Sequence, residues 1–287
     1  MKPGQRNFLI GAGIFVLLAA ILFWPKGGGS PAATPAAKSA TPVSVRMSRM
    51  VRLPFQFVGG SASLTAGRLT MSAGGEDEEP EGPDSFDVLP DGGFVVSDPL
   101  ARRLAFFDRE GKFQKQLALG FGADDVAAQA DGGALARKAT SGAWYSVSPA
   151  GAVTSANGPA DAPNPARLTA ADRGFIPGEG GQEAGGFSVI FARPGLRLAS
   201  LEKLGTDSKG RVYVAVESAS RTDEVDVQKA IRKYSKDGTV LAEISGVPVD
   251  YYVTPVQEFR LRDTRLYQLL PKQGEVQINL WDTSGTP

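Results

Sequence analysis

The chain has 287 residues, with 31 Lys and Arg against 31 Asp and Glu, so its formal net charge is zero. It contains no Cys and no His. That composition excludes disulfides, thiolate nucleophiles, iron–sulfur clusters and a cysteine-linked lipid anchor, and it removes the commonest metal ligand and general base. The zero net charge also gives no basic face for a nucleic acid, so none is expected as a partner. It is an average of two unlike parts. Residues 1–75 carry eight bases and no acid, which leaves 23 bases against 31 acids in residues 76–287, a net of −8.

Phe8 to Trp24 is an uncharged, overwhelmingly apolar run. As a helix it spans about 26 Å at ~1.5 Å per residue, the short end of the range for crossing a bilayer. Lys2 and Arg6 precede it and hold the N-terminus in the cytoplasm by the positive-inside rule. The reading is a single-pass signal-anchor, with the rest of the chain exported to a periplasmic or extracellular space. A cleaved signal peptide is the competing reading, with Ser30-Pro31-Ala32 as the nearest small-residue site. Residues 25–44, rich in Pro, Ala, Gly and Ser, form a linker that reaches about 25 Å as a coil. The net of −8 over 76–287 suits a domain held clear of anionic headgroups.

Residues 45–287 show short apolar runs separated by Gly, Asp and Pro turns, the pattern of an all-β domain. The clearest unit is 85–119, with strands expected at Phe86–Leu89, Phe94–Ser97, Arg103–Phe107 and Lys112–Leu119. Its second half repeats. Leu104, Phe107, Gly111 and Phe113 recur as Trp144, Val147, Gly151 and Val153, and again as Ile231, Tyr234, Gly238 and Val240. They end as Ile278, Trp281 and Gly285, with a weaker copy at Phe191 and Gly195. The marker glycines lie 40, 44, 43 and 47 residues apart. The earlier turn recurs at Asp91-Gly92, Asp131-Gly132, Asp172 to Gly174 and Asp207 to Gly210. A four-stranded sheet repeated at this period is a β-propeller blade. The expectation is a propeller of five or six four-stranded blades, with Val51–Val58 supplying the missing outer strand of the last one.

Asp91-Gly92, Val95-Val96-Ser97-Asp98, Arg103-Leu104, Phe107 and Gly111-Lys112-Phe113 resemble the NHL-type repeat of six-bladed propellers. The departure is Ala101, where that family usually has Asn. The resemblance is specific over about residues 85–119 and architectural elsewhere. It implies the blade fold and leaves activity open.

Catalytic signals are sparse. Ser200-Leu201-Glu202-Lys203 has the Ser-x-x-Lys spacing but falls on an expected strand. The acidic runs Glu76–Glu79, with Glu81 and Asp84, and Asp223–Asp226 lack the alternating spacing of a calcium loop. Gly178 to Gly186 reads as an inter-strand loop without the Lys-Ser/Thr ending of a phosphate loop. Arg260, Arg262 and Arg265 alternate as on a solvated strand face, and Tyr251-Tyr252 falls outside the repeat. No catalytic, cofactor or metal site is assigned, and no cofactor is expected. The reading is a membrane-anchored extracytoplasmic propeller, not an enzyme, acting as a protein-interaction or scaffold module for another envelope or extracellular protein. Acidic loop 76–84 and the insertions 176–188 and 217–229 are the candidate contact loops. The alternatives are a small-ligand sensor and a metal-dependent propeller hydrolase or lyase using central carboxylates.

Overall fold

The computed structural model describes residues 42–59, 64–75, 78–159, 167–169, 173–178, 181–190, 195–220 and 226–287, with backbone alone for 167–188 and 190. The proposed membrane helix Phe8–Trp24 lies outside the described residues. Among the described residues no helix is long and apolar enough to cross a membrane. One compact unit spans Pro35–Pro287.

Among the described residues of this unit all regular structure is β. Blade one is the meander Ser85–Val88, Phe94–Asp98, Arg103–Phe107 and Phe113–Ala118. Blade two is Ala123–Ala128, Ala134–Lys138, Trp144–Val147 and Val153–Ala156. Blade three is described as three antiparallel strands, Arg167–Thr169, Arg173–Gly178 and Gly181–Ile190. Blade four is Leu196–Thr206, Val212–Ser220, Val227–Tyr234 and Val240–Val247. Blade five is Phe259–Arg262, Arg265–Lys272 and Glu275–Asp282, and its outer strand is Arg49–Leu53.

Two linked turns explain the spacing seen in the sequence. In the first, an Asp side chain takes the place of a backbone turn: Asp91 Oδ1 accepts from Gly93 N at 2.9 Å, and Asp131 Oδ1 from Gly133 N at 2.9 Å. Asp207 Oδ1 does the same for Lys209 N at 2.9 Å. In the second, the residue three before the marker glycine accepts from the residue after it: Asp108 from Lys112 N, Ser148 from Ala152 N, Ser235 from Thr239 N. Gly111, Gly151 and Gly238 adopt φ of 84°, 87° and 82°, a left-handed region that strains any other residue.

Blades are buried on both faces, so their middle strands read as continuous apolar runs. In Phe94–Asp98, Phe94 and Val96 face the seam with blade five, while Val95 faces blade two with Leu104, Phe106 and Val126. Leu201, Val214, Val216 and Tyr234 fill the seam between blades three and four. Tyr213, Ile231, Phe259, Leu266 and Trp281 fill the next one, between blades four and five. Phe106, Phe107, Tyr234 and Trp281 are therefore core, as their repeat positions imply, whereas Trp144, expected with them, is only half-buried. The buried Asp98–Arg103 pair, at 2.9 Å, joins the end of one strand to the start of the next and accounts for the Asp and Arg of the NHL-like pattern.

Ring closure differs in detail from the expectation. Val51–Val58 does not act as one strand. Pro54 has no N–H to offer a ladder, and the segment divides there. Arg49–Leu53 pairs antiparallel with the last strand, Val51 opposite Ile278. Phe55–Val58 pairs in parallel with Leu69–Ser72 as a two-stranded ribbon. That ribbon covers the seam between blades five and one with Leu69 and Met71. It does not enter the inner ring, because the inner strands Phe259–Arg262 and Ser85–Val88 touch directly. The described residues thus form five blades. Val43–Ser44 adds a further, parallel strand outside blade four, opposite Ala242 and Glu243.

Gly111 tests the closure. A Cβ there meets Arg52 O at 2.5 Å and Val51 Cγ1 at 2.7 Å on the closing strand, whereas at Gly132, which also has φ of 84°, it meets open space. Gly111→Ala is expected to cost about 3 kcal/mol in urea unfolding and Gly132→Ala about 1 kcal/mol, the latter being left-handed strain alone. Equal costs contradict the placement of Gly111 against the closing strand.

Candidate functional site at the channel mouth

The first strand of each blade lines the centre. At the level of Arg260, Phe86 and Asp125 that centre is filled. The Arg260 guanidinium donates to Phe86 O at 2.8 Å, Val126 O at 3.0 Å, Ser85 Oγ at 3.2 Å, Gln257 Oε1 at 2.9 Å and the Asp125 carboxylate. Arg262 pairs with Asp87, whose carboxylate also accepts from Ala128 N at 2.7 Å. Arg260 is therefore not on a solvated face: its side chain is 14% exposed and bonds to three blades. Arg265 is solvated, 59% exposed and 3.3 Å from Asp282.

This bears on the metal-dependent reading. Carboxylates from blades one and two do converge, but on guanidinium groups that already satisfy their charge. Among the described residues no group of three or more Asp or Glu is placed to hold a metal ion. The chemistry of the donor set does not fit a central divalent cation.

One or two residues before that level, the same strands end at a mouth carrying carboxyls. Asp84 precedes the inner strand of blade one, Asp124 lies at the start of that of blade two, and Glu258 precedes that of blade five. Asp84 O accepts from Gln257 N at 2.9 Å, which ties blade one to blade five at this height. The Asp84 carboxyl is pushed up to about 7 by burial first, then by the negative charges of Asp124 and Glu81. Asp124 is held by Arg137 at 2.8 Å, and the Arg137 guanidinium lies over the Trp144 ring.

Blade four adds Glu202. Its side chain is exposed, and its pKa is raised by lost hydration first and by the negative charge of Glu258 second. Beside it runs a polar chain. Ser200 Oγ donates to Glu217 Oε2 at 2.7 Å, and Lys229 Nζ bridges Glu217 Oε1 at 2.9 Å and the Glu258 carboxylate. Tyr251 OH donates to Glu258, and Gln268 Nε2 donates to Glu258 Oε1 and to Tyr251 OH, both at 2.9 Å. Burial pulls the Lys229 ammonium down, but Glu258 and Glu217 more than offset that and hold it charged.

The sequence candidates fare unevenly. Ser200 and Lys203 stand opposite Glu217 and Val214 on a regular stretch of strand, so an offset of three puts them on opposite faces. Glu76, Asp77, Asp223 and Glu224 lie outside the described residues, and Glu78, Glu79, Glu81 and Asp226 are exposed. The reading of Gly178–Gly186 as a loop is corrected: Gly181–Ile190 is a strand paired with Arg173–Gly178. In the insertion 217–229, Glu217 and Lys229 are cross-strand neighbours of an extended hairpin. Asp84, Glu202, Glu258 and Lys229 were not singled out as a set. Aligning the turns at Asp91 and Asp131 puts Asp84 and Asp124 in register, each seven residues earlier, and Glu258 stands just before the inner strand of blade five.

No protein-family model and no curated protein matches this sequence. Among solved structures the chain is similar to virginiamycin B lyase from Staphylococcus aureus, at 8% identity over 70% of this chain and 94% of that one, with a TM-score of 0.37. It is also similar to XC5397 from Xanthomonas campestris, a gluconolactonase, at 11% identity over 88% and 98%, with a TM-score of 0.37. BamB from Moraxella catarrhalis is 11% identical over 83% and 99%, with a TM-score of 0.33. Two of the three are enzymes by name, and the expectation that this chain is not an enzyme is not upheld. Burial and neighbouring carboxylates push the Asp84 carboxyl up to about 7 in a chain without histidine. Likenesses this distant assign the chain no activity of its own.

The raised Asp84 carboxyl has a stability consequence. Its pKa is higher folded than unfolded, so the folded state binds the proton more tightly between pH ~4 and ~7. Stability therefore falls as pH rises through that window, and the whole penalty is present above it. Asp84→Asn removes this term. Against wild type it is expected to gain about 1–2 kcal/mol at pH 8 relative to pH 4, a figure that allows for solvent screening of a half-buried group. Urea unfolding at the two pH values measures it. An unchanged pH dependence in the variant contradicts the assignment.

Proposed function

We propose that this chain is a tethered interaction module: an extracytoplasmic propeller held to the cell membrane by Phe8–Trp24 and the linker 25–44, which binds another envelope or extracellular protein at the rim of blade four. The observation that carries this reading is a groove of about 290 Å³ between the blade-four hairpin and the loop leading to blade five. Val216, Val227, Val247 and Val249 give it apolar walls, and Lys229 and Asp250 give it polar ends. Val227 and Val249 are 41% and 37% exposed, on a scaffold whose other large apolar groups are mostly buried. An apolar groove with few polar groups, carried on a rigid frame, suits recognition.

Photo-crosslinking from Val249 and from Val227 in intact membranes tests this. The same adduct is expected from both positions and none from the exposed Ser141 turn of blade two. Val227→Asp is expected to weaken the adduct about tenfold, in line with loss of a buried anchor. Equal labelling from Ser141, or no adduct in the groove, overturns it.

A second reading rests on Asp84. A carboxyl titrating near 7 at a channel mouth is suited to general acid–base work, the hydrolase or lyase alternative without its metal. Small molecules that raise the melting temperature of the wild type but not of Asp84→Asn support it. Shifts of the same size in both contradict it.

A further inference from the structure

We infer that the outer edge of the disc formed by residues 43–58 is a docking surface for anionic lipid headgroups, which lays the propeller edge-on against the membrane. The inference rests on the anchored reading above and specifies how the disc stands on that membrane.

Among the described residues eight large hydrophobic side chains are exposed, and five of them, Val43, Met47, Met50, Phe57 and Leu64, fall within 22 residues of sequence. Arg46, Arg49 and Arg52 are interleaved with them, and all three are exposed. In Arg49–Leu53, Val51 and Leu53 turn inward to the seam and Met50 and Arg52 lie on the opposite face, while Arg49, on the face of Val51, is exposed at the end of the strand. Arg49 lies 3.9 Å from Glu110 and Arg52 2.7 Å from Glu275. Both arginines keep much of their surface in water, 42% and 67% exposed, and solvated pairs of this kind contribute little and exchange readily.

Bases alternating with apolar groups, with no acid anywhere in residues 1–75, is the chemistry of an interfacial contact. Each base near an anionic leaflet favours contact by roughly fivefold. The remainder of the disc is acidic and is repelled by the same leaflet. Attraction at one edge and repulsion elsewhere orient the disc. On this inference the disc touches the headgroups along this edge, which directly follows the linker 25–44 in sequence, instead of being held wholly clear of them.

The absence of cysteine makes the test direct. The full chain is reconstituted in nanodiscs as Met50→Cys or as Ser141→Cys and labelled with an environment-sensitive fluorophore. The nanodiscs are made with phosphatidylglycerol or with phosphatidylcholine alone, each doped with a headgroup quencher. Quenching at position 50 is expected to be about twofold greater in the anionic discs, to fall with added salt and to be lost in Arg46→Gln/Arg49→Gln/Arg52→Gln, with position 141 unresponsive throughout. The salt titration needs no charge variant, so it stands even where the triple substitution impairs folding. Equal quenching at the two positions, or quenching at position 50 indifferent to lipid charge, overturns the inference. Size exclusion separates the two readings. A chain that does not co-elute with nanodiscs refutes the anchor, whereas a retained chain with an unresponsive probe refutes edge docking alone.

Discussion

The guanidinium of Arg260 closes the ring from within. It belongs to the last blade, yet it donates from Nε and Nη2 to Phe86 O and Ser85 Oγ of the first blade and to Asp125 and Val126 O of the second, and from Nη1 to Gln257 of its own. A propeller built from sheets that meet only through apolar faces has no register of its own between blades, because such contact is non-directional. A charged fork bonded to fixed carbonyls is directional. It fixes the heights of three inner strands relative to one another, while the outer pairing of Arg49–Leu53 with Glu275–Asp282 holds the rim. The site at the mouth inherits its geometry from this level: Asp84, Asp124 and Glu258 share one rim because the residues just beyond them are bonded across the centre.

The same interaction decides where chemistry is available. Asp87 and Asp125 are the carboxylates a central cation needs, and both are spent on arginines. What remains open lies further out. The mouth holds carboxyls at raised pKa, the blade-four rim holds an apolar groove, and the edge formed by residues 43–58 holds exposed arginines beside apolar groups.

Much of the fold is legible in the sequence, for a physical reason. Turns that need positive φ demand glycine, and turns capped by a side chain demand Asp or Ser, so Gly111, Gly151 and Gly238 with their preceding acceptors mark the blades. The first blade's strands are readable almost to the residue because Phe94 to Asp98 and Arg103 to Phe107 are buried on both faces. Pro54 divides Val51–Val58 because it offers no ladder N–H, and a pattern of alternating apolar residues does not register that. The strand Gly181–Ile190 was hidden because glycine contributes no side chain to a periodicity. The site was harder still. An arginine alternating along a strand looks the same whether it faces water or the centre of a ring, and only the closed ring tells Arg260 from Arg265. Asp84 read as one more acid of a solvated loop, since its burial comes from blades that are distant in sequence.

The central claim is that Arg260 and Asp125 are coupled across the ring, and a double-mutant cycle measures that coupling directly. Arg260→Gln, Asp125→Asn and the double variant are unfolded in urea at neutral pH. A coupling energy of about 2 kcal/mol or more is expected for a desolvated charge pair, with each single variant costing more than the pair removed together. A coupling below about 0.5 kcal/mol, the level of distant independent sites, contradicts the account.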